Sequence, residues 1–283
     1  MKSEVQIDEN GATRCSRDPQ KFLNGYKVQY QGTSELVEEF SDTLKNMHGM
    51  CLDIGCGPGI SMKDIILPKL PKDTLLVGAD ESELMIEYAK KCCEGEKRLS
   101  FLHIDIGGMR IPEQEIEKYN NIVSFYYLHT FQNIQRSARN MSRLLAVGGQ
   151  GLVMFLSHHD VFDLFMEYRC YHDYKKYMED VFLQLPALYG LPNAADIVKD
   201  DLETVGLKPI TCVSKELSFT YDSMDELENT LMVMDPFVDR MPNGVREIYT
   251  KQITEQFAKN RMKDGKIVDT YRVVMALFEK VGN

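Results

Sequence analysis

The chain has 283 residues, 43% of them hydrophobic, and a formal net charge of −10 at pH 7. This size and apolar content suffice for one large domain with its own core, and the negative charge makes a nucleic acid an unfavourable partner. We expect neither a signal peptide, because the N-terminus lacks an apolar stretch, nor a membrane span, because no apolar run approaches ~20 residues.

The N-terminal half alternates apolar runs with helical patterns. We expect the first twenty or so residues to be loosely ordered and residues 34–45 to form a helix. The apolar runs predict strands at residues 49–55, 75–80, 99–106, 121–129 and 151–157. Helices are predicted at 61–67, 82–92 and 131–144, the last one stopping at Gly148 and Gly149. This alternation predicts an α/β fold with a parallel, doubly wound sheet and right-handed crossovers.

The C-terminal half departs from strict alternation. Residues 161–188 have a helical, aromatic-rich pattern, and a shorter helix is predicted from 194 to 205. A strand at 208–221 and a last strand at 270–280 enclose a helical region, 224–262, interrupted at Pro236 and Pro242. Two late strands around an insertion, after five βα units, predict an antiparallel hairpin at one edge of the sheet.

The most informative motif is "LDIGCGPGI", with Gly55, Gly57 and Gly59 directly after the first strand. The dinucleotide fingerprint would need glycine at position 60, where this chain has Ile60. A glycine turn at a strand end nonetheless lets backbone N–H groups approach a ligand. Asp80 ends the second strand, where a carboxylate can accept both hydroxyls of a ribose.

Further polar groups follow the same pattern along the sheet. Asp105 and Ile106 end the third strand, at a place suited to an adenine ring, and Asp53 precedes the glycines, where a ligand ammonium would lie. The carboxyl ends of consecutive strands share one edge of an open α/β sheet, where such folds bind ligands. The sequence therefore predicts a nucleoside-type site at this edge.

These motifs resemble a known family. "LDIGCGPG", "GAD" and "IDI" are similar to the class I S-adenosylmethionine-dependent methyltransferases. The segments "LLVGADESELMIEYAK" and "VSFYYLHTFQNIQRSARNMSRLLAVGGQGLVMFL" resemble in particular the arthropod juvenile hormone acid methyltransferases. The resemblance implies a Rossmann-like, mainly parallel sheet of seven strands with helical lid insertions, and S-adenosyl-L-methionine as cofactor.

The resemblance also implies roles for individual residues. Gln29 faces the junction between cofactor and substrate, and in the family the residue after "LH" of the fourth strand is usually tryptophan, where this chain has Thr130. A second departure is Val147 in place of proline before two glycines, and we expect it to be harmless. The expected cofactor-binding residues are Asp53, Gly55, Cys56, Gly57, Gly59, Asp80, Glu81, Met85, Asp105, Ile106 and Ser124.

The expected reaction is methyl transfer to a small lipophilic acceptor, most simply a carboxylate such as a farnesoid acid. A carboxylate has a pKa of about 4 and needs no general base, only donors that hold one oxygen. Gln29 and His129 are the catalytic candidates, and Gln29, Tyr126, Tyr127 and Thr130 the substrate-binding ones. Met-rich and aromatic helices after residue 160 are expected to form a lid over the acceptor.

Three alternatives remain open from the sequence. The acceptor is a different amine, phenol or acid, or the chain is an inactive relative that still binds the cofactor; a nicotinamide-dependent dehydrogenase is disfavoured by Ile60.

The division predicted is 1–33 as an N-terminal segment over the active site, 34–160 as cofactor-binding core, and 161–283 as lid helices plus C-terminal strands. Seven cysteines without a CxxC pair favour a reduced, cytoplasmic protein, monomeric or homodimeric, and no metal site is expected.

Overall fold

The computed structural model describes residues 18–282, so most of the N-terminal stretch predicted to be loosely ordered lies outside the described residues. One mixed sheet runs through this part of the chain. Its strands are β1 Met50–Ile54, β2 Leu75–Asp80, β3 Leu99–His103, β4 Tyr119–Phe125, β5 Leu145–His158, β6 Leu207–Tyr221, β7 Met262–Lys263 and β8 Lys266–Lys280.

The strand order is β3-β2-β1-β4-β5-β8-β6, with the two-residue β7 paired to β8. Strands β1 to β5 are parallel, whereas β8 runs antiparallel between β5 and β6. This confirms the doubly wound sheet and the antiparallel pair at one edge. In β1, Asp53 is in register with Gly78 of β2 and Val123 of β4, so it lies where the strand order reverses, the position at which open α/β sheets bind ligands.

Helices cover both faces of the sheet. They are α1 Pro19–Asn24, α2 Lys27–Glu39, α3 Ser41–Leu44, α4 Glu83–Cys92, α5 Ile134–Leu144, α6 Val161–Tyr168, α7 Val181–Gln184, α8 Ala194–Thr204, α9 Met224–Met234 and α10 Asn243–Lys259. One buried core contains apolar residues of α2, α6, α9 and α10, and the other contains those of α5 and α8. Within residues 18–282, no helix combines the length and the apolar character that crossing a membrane requires.

The predicted N-terminal helix starts too late. Helix α2 begins at Lys27, seven residues before the predicted start at Ser34, and residues 41–44 form the separate short helix α3. The buried face of α2 begins with Val28 and continues through Gly32 and Thr33. Those two small residues carry little apolar signal, which is why the periodicity was visible only from Leu36 onwards. The correction places Gln29 within the first turn of a helix.

The fourth strand is shorter than the predicted 121–129. It ends at Phe125, because Tyr126 has a positive φ of 55°, a left-handed conformation that cannot continue a strand. Tyr126 and Tyr127 therefore lie in the following loop, and His129 lies in a 3₁₀ turn, Leu128–Thr130, rather than at a strand end. This loop follows the carboxyl end of β4.

Other boundaries differ as well. Strand β3 ends at His103, two residues before Asp105, and helix α5 gives way at Leu145 directly to β5, which carries Gly148 and Gly149. The region 161–188 contains two short helices, α6 and α7, and a 3₁₀ turn at Lys175–Tyr177 instead of one long helix. Near the C-terminus, α9 and α10 are separated around Pro236 and Pro242, as predicted.

Candidate active site

The glycine turn after β1 has the shape that the motif predicts. Gly55 has a φ of 78°, and a Cβ placed on it would lie 2.0 Å from the Tyr127 ring. Gly57 has a φ of 52°, and the nearest atom to an added Cβ is 3.9 Å away, on Phe22. A side chain at Gly55 would therefore collide with protein, whereas one at Gly57 would occupy open space. The backbone at Gly57 is thus accessible to a ligand.

Asp80 ties the glycine turn to the next strand. Its Oδ2 accepts a hydrogen bond from the Gly57 N–H at 3.0 Å, and its Oδ1 accepts one from the Ser82 N–H at 2.8 Å. Ser82 in turn caps α4 by accepting from the Met85 N–H. The Asp80 carboxylate is buried, so it is held in a fixed orientation at the carboxyl end of β2.

Asp53 is a buried acid directly before the glycine turn. It is 4% exposed, and burial together with the nearby Asp80 carboxylate raises its pKa to about 8. Within residues 18–282 its carboxyl group has no hydrogen-bond or ion-pair partner. A buried acid of this kind is stabilised in its ionised form by a cation that binds beside it.

These groups line one cavity. It is bounded by α1 and α2, the glycine turn, the end of β2 with the start of α4, and the loop after β4. The residues that line it are Phe22, Tyr26, Gln29, Thr33, Asp53, Gly55, Cys56, Gly57, Pro58, Ser61, Asp80, Glu81, Ser82, Met85, Phe125, Tyr126, Tyr127 and Thr130. The Tyr127 hydroxyl at this wall is buried and has no hydrogen-bond partner in the described part of the chain.

An adenosyl amino acid fits this donor and acceptor set. Among residues 18–282, Asp53 offers a carboxyl group without a partner for an ammonium, Gly57 an open backbone, and Tyr127 a hydroxyl without a partner. Seven of the expected cofactor-binding residues line the cavity: Asp53, Gly55, Cys56, Gly57, Asp80, Glu81 and Met85. Burial, reinforced by Asp80 and Asp53, raises the pKa of the Cys56 thiol, so this sulfur is a neutral wall atom.

Four expected cofactor residues do not line this cavity. A Cβ added to Gly59 would lie 3.1 Å from Ala89 and Cys93, and Ile106 is buried in the core. The Ser124 hydroxyl is buried and donates to the Ile54 carbonyl at 2.8 Å, and the Asp105 Oδ1 accepts from the Gly107 N–H at 2.8 Å. Their contact with the cofactor stays a prediction.

A second, more apolar cavity adjoins the first. It is lined by Phe22, Val28, Gln29, Tyr126, His129, Leu156, His159, Thr230, Met234 and Tyr271. Phe22, Gln29 and Tyr126 line both cavities, so the two meet at these residues. No lysine or arginine between residues 18 and 282 lines either one. Tyr127 and Thr130, expected at the substrate, line the first cavity instead, and the Thr130 hydroxyl donates to the Tyr127 carbonyl.

The two catalytic candidates have distinct environments. Burial lowers the pKa of His129 to about 4, and its Nδ1 is buried without a hydrogen-bond partner in the described residues. The imidazole is therefore neutral at pH 7. When the Gln29 amide is oriented so that its nitrogen faces acceptors, it donates to the carbonyls of Gly25 and Tyr26, at 3.1 and 3.3 Å.

Several lining residues were missed by the sequence prediction. Phe22, Tyr26 and Thr33 were missed; together with the predicted Gln29 they are spaced by four, three and four residues, a helical spacing that indicates one face over the cavity. Thr230, Met234 and Tyr271 come from α9 and β8, far away in the chain. No local pattern in the sequence relates those residues to the glycine turn.

One group of metal-ligand types occurs in the described chain, outside both cavities. Ligand atoms of His158, Asp160 and Asp163 lie within 4.8 Å of one another. However, Asp160 pairs with Arg261 and hydrogen-bonds to His158, and Asp163 accepts from the Tyr189 hydroxyl. Because these acids have protein partners, we assign no metal to them.

Comparisons with known proteins agree with this geometry. A family model described as a methyltransferase domain matches residues 52–150. The juvenile hormone acid O-methyltransferase of Drosophila melanogaster is 26% identical over 269 residues, covering 92% of this chain and 91% of that protein. The protein of the same name from Bombyx mori is 28% identical over 246 residues, covering 86% and 87%.

A solved structure shares the fold. The phosphoethanolamine N-methyltransferase 2 of Haemonchus contortus, in complex with S-adenosylhomocysteine, superposes with a TM-score of 0.56 at 13% identity, over 93% of this chain and 57% of that one. At this identity the likeness concerns the fold. The matched methyltransferase domain, together with the strand-end site, identifies the cofactor as S-adenosylmethionine. Residues 52–150 therefore form a methyltransferase domain of the S-adenosylmethionine-dependent type, and the chain is similar over most of its length to the juvenile hormone acid O-methyltransferases of insects.

Proposed function

We propose that the protein methylates the carboxylate of an apolar acid of the farnesoid type. The observation that carries this proposal is the junction at Phe22, Gln29 and Tyr126, where a cavity suited to the cofactor meets an apolar cavity. The two insect relatives, named as acid O-methyltransferases, support the choice of a carboxylate. The apolar lining from Val28, Leu156 and Met234 supports a hydrocarbon body on the acceptor.

In this proposal the cofactor occupies the first cavity. When bound, S-adenosylmethionine supplies an electrophilic methyl carbon on a positively charged sulfur. Asp53 binds the ammonium, Asp80 accepts hydrogen bonds from the ribose, and the backbone at Gly57 lies against the ligand. Gln29 at the junction and His129 of the second cavity hold the acceptor carboxylate so that its attacking oxygen lies ~3 Å from the methyl carbon, and this alignment is the main catalytic contribution that the protein makes.

The pKa of His129 helps to choose among acceptors. A base that removes a proton from a phenol, whose pKa is about 10, works best with a pKa near the working pH. With a pKa of about 4, His129 is too weak a base for this task. A carboxylate is already ionised at pH 7 and needs only hydrogen-bond donors. The neutral imidazole supplies one N–H to the oxygen that does not attack.

Gln29 is the second proposed donor. Its amide nitrogen donates to two backbone carbonyls at the bend between α1 and α2. The acceptor carboxylate would replace one of these two carbonyls as the acceptor for an N–H of the amide. We expect Gln29→Ala to lower kcat by about tenfold, the loss of one charge-assisted hydrogen bond, with cofactor affinity nearly unchanged. Gln31→Ala, on the exposed side of the same helix, is the matched control.

The decisive experiment measures transfer of a radiolabelled methyl group to a panel of acceptors. Farnesoid acids and fatty acids are expected to be methylated, with kcat/KM at least tenfold above phenols and amines of similar size. Calorimetric titration with S-adenosylhomocysteine on the same preparation establishes that the cofactor site is intact. A phenol or an amine that outperforms every acid would contradict the proposal, as would binding of the nucleoside without transfer to any acceptor.

A further inference from the structure

Two tyrosine hydroxyls meet at the wall of the second cavity, which we call the acceptor cavity. The hydroxyl oxygens of Tyr126 and Tyr271 are 2.9 Å apart, and both residues line the cavity. Tyr126 comes from the loop after β4 and Tyr271 from β8, two parts of the chain separated by 145 positions. Such a pair does not arise from local sequence and is held only by the tertiary fold.

The position of this pair is fixed from two sides. The positive φ of Tyr126, a costly conformation for a side chain of this size, turns it out of β4, while its N–H donates to the Met154 carbonyl at 2.8 Å. On the opposite side, a Cβ added to Gly32 of α2 would lie 1.9 Å from the Tyr126 hydroxyl oxygen. The absence of a side chain at Gly32 lets the hydroxyl reach its place.

The pair has one proton more than it uses. Two hydroxyls contribute two protons, and the hydrogen bond between them consumes one. Neither oxygen has another hydrogen-bond partner within residues 18–282. Burial raises the pKa of Tyr126 and raises that of Tyr271 to about 12, so both remain protonated at neutral pH. One phenol proton is therefore available inside the cavity for an acceptor atom of a ligand.

The surroundings favour an uncharged ligand atom. His159, next to the pair, accepts the Val161 N–H with Nδ1 and pairs with Asp269 through Nε2, at 3.1 and 2.8 Å. Thr230 donates to the Glu226 carbonyl. Since no lysine or arginine in the described chain lines this cavity, an anionic group would lack a counter-charge there, and its burial would be costly.

We propose that the Tyr126–Tyr271 pair binds a neutral oxygen, a carbonyl, ether or hydroxyl group, carried on the apolar body of the acceptor away from its carboxylate. This inference rests on the proposed function, because it assumes that the acceptor occupies the second cavity. The pair then selects among apolar acids of equal length by the presence and position of a second oxygen. Without such an oxygen the phenol proton remains unsatisfied, which disfavours a plain hydrocarbon chain.

The test compares dodecanoic acid with oxododecanoic acids that carry a ketone at successive positions along the chain. Calorimetry measures their binding to the protein saturated with S-adenosylhomocysteine. We expect one ketone position to bind about two- to tenfold tighter than dodecanoic acid, the range for one hydrogen bond. The double variant Tyr126→Phe/Tyr271→Phe should lose this preference, so that the favoured ketone binds no tighter than dodecanoic acid does to the same variant. Tyr174→Phe is the control and should keep the preference, because the Tyr174 hydroxyl that it removes donates to Gln252 instead.

Each result bears on the pair separately from the proposed function. Equal binding of all the acids by the parent protein overturns the inference, even if the acids are methylated. Equal weakening of every acid in the double variant also overturns it, because the pair would then be structural. If the double variant does not fold, Tyr271→Phe alone must reduce the preference. If no acid is methylated, the proposed reaction fails, while the binding comparison still decides the role of the hydroxyls.

Discussion

Asp53 makes the stability of the ligand-free protein depend on pH. In the folded chain its carboxyl group holds a proton up to about pH 8, whereas an unfolded aspartate loses it near pH 3.9. Between these values the unfolded state binds fewer protons than the folded state does. The stability of the ligand-free protein therefore falls as the pH rises from about 4 to 8.

This linkage predicts the effect of Asp53→Asn on the ligand-free protein. The amide cannot ionise, so the variant should unfold at a higher temperature than the parent at pH 8. The two should unfold at similar temperatures near pH 4. The expected rise is about 2–4 °C for each kcal/mol gained, measured by thermal melting across the pH series. A lower melting temperature at pH 8 would contradict the raised pKa.

Asp53→Asn should also weaken binding of the cofactor. Binding of an ammonium beside Asp53 requires the ionised carboxylate, so at pH 7 the parent protein should release a proton on binding. Calorimetry in buffers of different ionisation enthalpy measures this release. In Asp53→Asn the release should diminish and the affinity should fall by more than tenfold. Glu87→Gln, an exposed acid on α4, should alter neither, and unaltered affinity in Asp53→Asn would remove this residue from the site.

At the level of elements, the two glycines of the turn after β1 have different roles: Gly55 is needed for folding, and Gly57 is predicted to be needed for binding. Gly55 and Gly57 both have positive φ, which costs alanine about 1–2 kcal/mol. An alanine Cβ at Gly55 would also collide with Tyr127, whereas at Gly57 it would protrude into open space.

We therefore expect the two substitutions to have different effects. Gly55→Ala should lower the free energy of unfolding by clearly more than Gly57→Ala, in urea titrations. Gly57→Ala should cost only about 1–2 kcal/mol of stability and weaken S-adenosylhomocysteine binding by more than tenfold, measured by calorimetry. Equal cofactor affinity in Gly57→Ala and the parent would mean that the ligand does not approach this backbone.

The elements also show what a sequence can reveal. Buried parallel strands are continuous apolar runs, so β1 to β5 and their helices could be located, and the strand-end acids Asp53 and Asp80 with them. The end of β4 could not be located, because nothing in the sequence distinguishes a tyrosine with positive φ from one in a strand. The lining of the second cavity could not be predicted either, since Tyr271 reaches it only through the antiparallel placement of β8.

For the whole molecule, the charge of the two cavities has to be considered together. The described lining contains acids in the first cavity and no lysine or arginine in either one. Within residues 18–282 a carboxylate acceptor therefore finds no lysine or arginine beside it, and in the proposed reaction the positive sulfur of the cofactor is its partner. Acceptor and cofactor should bind cooperatively.

This coupling can be measured without catalysis. Two complexes are compared. One contains an unreactive cofactor analogue with an ammonium in place of the sulfonium, and the other contains S-adenosylhomocysteine, whose sulfur is uncharged. Dodecanoic acid should bind at least tenfold tighter to the first complex than to the second. The corresponding uncharged alcohol, dodecanol, should bind both complexes equally. An acid that binds both complexes with the same affinity would show that residues of the protein, not the cofactor, compensate its charge.

The contribution of β8 to the acceptor wall has a consequence for how this chain can diverge. The residues proposed to bind the nucleoside come from β1, β2 and α4, whereas α9 and β8 supply three of the ten described lining residues of the second cavity, Thr230, Met234 and Tyr271. Mutations late in the chain can thus change which acceptor is methylated, while the first half of the chain continues to bind the methyl donor. Descendants of such a gene would share a first half and differ in what they modify.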